Sequence, residues 1–165
     1  GRHLPFLLAA ADKYIKPAVR YQGCAYDSGV DFLLPNQYFT LWSTSDSQIR
    51  STLETFASAG GQLEDLAISK EDLRGYILSA YAQALPPSGM LNGRMRFLRR
   101  RLFGISTDHI NKMITDIRNS SLKDQKTAAR LIHKILQNSP SAVVVNEKMI
   151  NENKDLFDEV MKLQS

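Results

Sequence analysis

The spacing of apolar residues changes near Gly23, and that change does most to limit what this chain can fold into. Leu4, Leu7, Leu8, Ala11, Tyr14, Ile15 and Val19 recur three and four residues apart, the period of an amphipathic helix. Pro17 falls inside that run and predicts an end or a kink there. From Cys24 to Leu34 the pattern becomes that of a strand, with Cys24, Tyr26, Val30 and Phe32 on one face and Asp27 and Asp31 on the other. The turn "LLPNQ" leads into "YFTLWST", rich in aromatic and β-branched residues, so the two runs predict an antiparallel hairpin.

Beyond Thr44 the pattern is mostly helical. Ser45 or Asp46 is placed to cap a helix carrying Ile49, Leu53, Phe56 and Ala57, which Gly60-Gly61 breaks or loosens. Ser69 with Asp72 three residues on has the form of a capping box at the head of the next helix. After "PPSG", a helix from about Met90 to Phe103 stops at Gly104. Further helices start at Ser106 or Thr107 and at Ser121. "SAVVVN" reads as a third strand, and short helices around Met149 and from Asn153 to Leu163 follow. The fold class is therefore α+β, a small, mainly antiparallel sheet backed by several helices. A first strand missing before Leu4 would complete the sheet.

At 165 residues the chain is expected to form a single domain over 1–165. It is 43% hydrophobic and 23% charged, which excludes a disordered chain. No apolar run approaches the roughly 20 residues of a membrane helix. "LPFLLAAADKYI" is interrupted by Asp12 and Lys13, so it reads as a packed helix rather than a signal peptide. The single cysteine, Cys24, excludes an internal disulfide and any multi-cysteine zinc site. A buried structural thiol is the expectation for it. A bacterial cytoplasm or a mitochondrial matrix is the compatible compartment.

Most catalytic signatures are missing. His3, His109 and His133 form no zinc-binding pair flanked by glutamate, and there is neither a phosphate-binding glycine loop nor a serine elbow. His109 and His133 are expected at helix surfaces or in packing. The strongest charge feature is "GRMRFLRRRLFG", with Arg94, Arg96, Arg99, Arg100 and Arg101. Leu91, Met95, Leu98 and Leu102 share one side of that helix and are expected to face the core. The arginines then form a solvated face, or a surface for acidic protein or nucleic acid. Aromatic residues are not interleaved there except Phe97, which disfavours nucleic acid.

"VRYQGCAYDSG" sets a guanidinium, Arg20, and a phenol, Tyr26, on either side of a glycine. With the hairpin, "SKEDLRGYILSAY" and "PPSGMLNGRMRFLRRRLFGIS", this segment resembles the C-terminal lobe of the insulinase (pitrilysin) zinc metallopeptidases, closest to the presequence-protease branch. The likeness runs from about Leu4 to the end and is most specific at Arg20, Gly23, Ala25 and Tyr26. Cys24 stands where the family often has a second glycine, and Asp27 follows the tyrosine; on a regular strand Asp27 points away from Tyr26.

The resemblance implies an insulinase-like metallopeptidase domain that binds no metal itself. Its Zn2+ would lie in an N-terminal catalytic half of the same polypeptide, in an enzyme that degrades short unfolded peptides. Arg20 and Tyr26 would donate to substrate carbonyls and the developing oxyanion, with Gly23 and Ala25 lining the peptide. This domain alone would be inactive. The alternatives are a non-catalytic structural or partner subunit of the same fold, and a nucleic-acid or protein-binding module built on the Arg94–Arg101 helix.

Overall fold

A computed structural model describes residues 1–33, 38–85 and 90–161. Helix α1 (Leu4–Ala10) continues without a break into wider, π-wound turns over Ala11–Ile15 and Pro17–Gln22. Pro17 has no N–H to give to an α-helical bond. Around it the chain winds wider, so that Lys16 N–H reaches the Ala11 carbonyl and Gly23 N–H the Ala18 carbonyl. The expected end or kink at Pro17 is thus a change of helical pitch.

The hairpin follows as β1 (Asp27–Leu33) and β2 (Tyr38–Thr44), antiparallel, with Val30 opposite Leu41. Then come α2 (Ile49–Asp65), α3 (Lys70–Ala84), α4 (Met90–Leu102), α5 (Thr107–Arg118), a 3-10 turn at Leu122–Asp124, α6 (Gln125–Leu136), α7 (Glu147–Glu152) and a last 3-10 turn at Lys154–Leu156. The molecule is α+β, with a two-stranded antiparallel sheet and seven α-helices among the described residues. The "LLPNQ" turn beyond Leu33, the "PPSG" loop and the end of the expected final helix lie outside them.

Helix α1 is the centre of the core. Phe6, Leu7 and Ala10 are buried against Leu63 of α2, Leu73 of α3, and Ala128, Ala129 and Ile132 of α6. Val30, Phe32, Phe39 and Leu41 cover the same cluster from the inner face of the hairpin, since alternate strand residues point one way. A two-stranded sheet is marginal alone and depends on this packing. On the outer face the Trp42 ring lies across Gly29, where an added Cβ would sit 2.9 Å from the indole.

Two sequence expectations change here. Gly60 does not break α2. A Cβ at Gly60 would collide with the backbone of His133, so this glycine lets α2 and α6 pack in direct contact. "SAVVVN" forms no strand; the chain from Ser139 to Asn146 is neither helix nor strand. Its valines find no backbone partner among the described residues. Two more fail: neither Ser45 nor Asp46 caps α2, whose N-cap is Gln48 with no side-chain bond, and the described stretch from Asn153 forms only the 3-10 turn Lys154–Leu156 before the chain leaves helix. Other local signals match the structure: Ser69 and Asp72 form a reciprocal capping box, Ser106 caps α5, and Gly104 takes the left-handed conformation after α4.

Candidate functional site

The corner after α1 is built by backbone bonds. Gly23 N–H bonds Ala18, Ala25 N–H bonds Val19, and Tyr26 N–H bonds Thr44, stitching the end of the helix to the start of the hairpin. Gly23 is required for closeness, because an added Cβ would lie 2.7 Å from the Val19 carbonyl oxygen. Cys24 turns the chain with a left-handed φ of 61° and is exposed, not the buried thiol its strand-like setting suggests. Regular pairing begins only at Asp27, so Cys24 and Tyr26 do not join the inner face of the hairpin. Tyr26 is 76% exposed.

Arg20 reaches Asp27 rather than lying free: Nη1 stands 3.7 Å from Oδ1, and the guanidinium lies 5.7 Å from the centroid of the Tyr21 ring. The Asp27 carboxylate also accepts the Ser28 N–H. Asp27 therefore offsets the charge that the sequence reading left free at Arg20. Ala25 is buried with Ile15, Val19 and Ala59. No hydrogen bond joins Arg20 to Tyr26 among the described residues. No group of three or more His, Cys, Asp and Glu side chains there could hold a metal ion.

A polar clamp ties the π-wound continuation of α1 to α3. Lys13 Nζ donates to Asp72 Oδ2 at 2.8 Å, and the Tyr76 hydroxyl donates to Asp12 Oδ2 at 2.7 Å. The Lys13 ammonium, with the Ser69 backbone N–H next in importance, holds the Asp72 carboxyl below the usual carboxylate range. Burial, followed by the bond to Asp12, pushes the Tyr76 phenol above its ordinary value. Every member has a partner in the fold, so this cluster holds structure and offers no free acid or base.

The unsatisfied surface is on α4. Met95 is 47% exposed, Leu98 48% and Leu102 74%, and Phe97 and Phe103 are exposed as well. Met95, Leu98 and Leu102 are three and four residues apart and share a side of the helix. This is the face that the periodicity assigned to the core. None of its described side chains enters any of the three core clusters. Periodicity marks a helix with an apolar side; it does not say what covers that side.

The charge around the stripe is also unmet. Arg94, Arg99, Arg100 and Arg101 have no carboxylate within ion-pair distance among the described residues. A sequence signal for this was present: between Asp72 and Asp108 the chain carries six arginines and no acidic residue, while its whole net charge is only +4. No helix of the described residues is long and apolar enough to cross a membrane.

No family model matches the chain, and no solved structure matches it. It is similar to the Protein HypA of Clostridium perfringens (strain 13 / Type A), 26% identical over 148 residues. The match takes in 89% of this chain and 15% of that protein, so the chain spans a small part of its relative's length. These findings correct the insulinase assignment. The relative's name is not that of a peptidase, and no insulinase or pitrilysin model matches. Zinc-peptidase activity, a catalytic N-terminal half as partner and a peptide substrate fall with that assignment. The Zn2+ expected in such a half loses its basis in the same way.

Proposed function

We propose that the chain is a protein-docking module whose contact helix is α4. The observation that carries this is the exposed apolar stripe of Met95, Leu98 and Leu102, flanked by Arg94, Arg99, Arg100 and Arg101, which have no acidic partner among the described residues. Burying such a stripe is favourable by about 25 cal/mol per Å² of apolar surface. The arginines restrict the occupant to a surface that presents carboxylates beside an apolar groove. Nucleic acid fits less well, because it would satisfy the arginines and leave the aliphatic stripe in water. Residues 1–165 act in this scheme as one domain. The exposed single thiol of Cys24 fits a reducing compartment, a bacterial cytoplasm or a mitochondrial matrix.

The test uses the chain against three probes: calcium-loaded calmodulin as an acidic protein with an apolar groove, poly(uridine), and phosphatidylserine-containing vesicles. The protein probe is expected to bind. Leu98→Ser with Leu102→Ser should weaken that binding at least about tenfold, a loss near 1.4 kcal/mol. Binding to poly(uridine) or vesicles alone, or protein binding indifferent to the leucines, overturns the proposal.

A second contact patch is proposed at the corner before β1, where Tyr21 is exposed beside Arg20 and Tyr26 is exposed where the chain enters the hairpin. Exposed tyrosines with an arginine are the residue types that dominate protein interfaces. On this scheme Arg20 and Tyr26, held by Gly23 and Ala25, touch a partner's surface. Arg20→Ala with Tyr26→Ala should then weaken the partner that α4 binds while leaving the melting temperature nearly unchanged. Unaltered affinity removes the patch.

A further inference from the structure

The inner face of the hairpin is not covered to its end. Val30 is buried, but Phe32 and Phe39, further toward the turn and directly opposite each other, are only half-buried. Opposed residues on one face of a hairpin hold their side chains together, so the two rings form one aromatic wall. That wall borders a cavity of about 330 Å³, bounded on its other sides by Leu4 at the head of α1 and by α5. Phe32 and Phe39 pack on the core cluster around α1, whereas Leu4, Ile110 and Met113 belong to the cluster around α5. The cavity therefore lies at the seam between two packed clusters. An apolar lining with a few polar groups is the character of a small-molecule site.

The polar groups converge from one side. His109, Lys112 and Asp116 are three and four residues apart, so they share a side of α5, and all three line the cavity. Asp116, at one end of that row, stands 3.7 Å from the Gly1 amine. Toward the other end, Lys112 is exposed with no carboxylate within ion-pair distance among the described residues. The His109 ring there has no hydrogen-bond partner among the described residues either, its backbone N–H alone being held by Ser106. The cavity thus sets an aromatic wall beside an unpaired ammonium and a ring that can donate an N–H.

We infer that the cavity binds a small aromatic carboxylate, with its ring against Phe32, Phe39 and Met113 and its carboxylate on Lys112 and His109. Flat rings gain from offset or edge contacts with phenyl groups, and from a methionine sulfur, beyond the area they bury. An anion supplies the partner that Lys112 lacks, through a charge-assisted bond. A cation of the same shape would meet that ammonium with like charge and would find Asp116 already faced by an amine. A neutral molecule would gain nothing from Lys112. The volume is near the lower limit of small-molecule sites, about 300 Å³, which restricts the body to roughly two fused rings. The site is separate from α4 and does not depend on the role proposed for it.

Nuclear magnetic resonance titration of the chain with naphthoate tests this, with naphthylmethanol and naphthylmethylamine as neutral and cationic forms of the same body. Naphthoate is expected to shift the methyl signals of Ile110 and Met113 and to bind at least about tenfold more tightly than the alcohol, with the amine weakest. Lys112→Gln should bring naphthoate down to the affinity of the alcohol, while Leu98→Ser with Leu102→Ser leaves it unchanged. Lys112 is exposed, and a melt of each variant checks the fold; the three probes on the wild type decide the matter even without the variants. Equal affinity for all three probes overturns the inference. Signals that move on α4 and not at Ile110 and Met113, or no binding by naphthoate, overturn it equally.

Discussion

At the scale of single residues, Gly60 and Gly61 are adjacent in sequence and opposite in consequence. A methyl at Gly60 meets the backbone of His133, whereas one at Gly61 meets nothing within 4 Å. Gly60→Ala must push α2 from α6 and should cost about 1–3 kcal/mol, as overpacking does. Gly61→Ala should stabilise by about 0.5–1 kcal/mol, because alanine loses less backbone entropy in a helix. Urea denaturation of both variants checks the pair; equal and opposite signs are not required, but opposite signs are. The sequence shows two glycines and no means of telling which one touches another helix. That difference is created by a contact with a residue more than seventy positions away.

Asp72 gives a second residue-scale expectation. Its carboxyl is held low, chiefly by the Lys13 hydrogen bond. A depressed folded pKa means that the contribution is present above the unfolded value, near 3.9, and is lost as pH falls through the lower folded value. Thermal melts of wild type and Asp72→Asn should therefore differ at neutral pH and converge as pH falls below the usual carboxylate range. Asp155, lowered by its bond to Arg50, titrates in the same direction and remains in both proteins. A gap that persists undiminished in acid would contradict the clamp.

At the scale of elements, α4 and α2 make the contrast. Both carry apolar residues at helical spacing, yet Leu63 of α2 is fully buried and Leu98 of α4 is half exposed. Leu63→Ala removes core contacts and should cost about 2–5 kcal/mol. Leu98→Ala should change stability by no more than about 0.5 kcal/mol, as surface substitutions do. Chemical denaturation of the two variants measures this; a large loss at Leu98 would mean that its face is core after all. Caps, the hairpin and the ends of most helices were legible in the sequence because they are set by residues a few positions apart. Ser69 with Asp72, Ser106 and Gly104 are examples. The "SAVVVN" run was misread for the opposite reason: strand propensity is local, but a strand exists only when another one lies beside it.

At the scale of the whole molecule, the α+β class followed from the change of period near Gly23, and the structure keeps it. The candidate site did not follow. Arg20 and Tyr26 looked like a converging pair because they lie six positions apart, but Arg20 closes on Asp27 and Tyr26 turns to solvent. The proposed docking face was visible only as an apolar stripe, and a stripe is silent about its covering. What distinguishes α4 is a sum over the fold: among the described residues no core cluster reaches Leu98 or Leu102 and no carboxylate reaches Arg94, Arg99, Arg100 or Arg101. The central claim is that this helix is a contact surface and not a core element. The most direct test is the affinity of Leu98→Ser, Leu102→Ser for calcium-loaded calmodulin beside that of wild type, with both melts recorded. A loss of about tenfold or more at an unchanged melting temperature is the expected result. Equal affinity, or a variant that no longer folds, would contradict it.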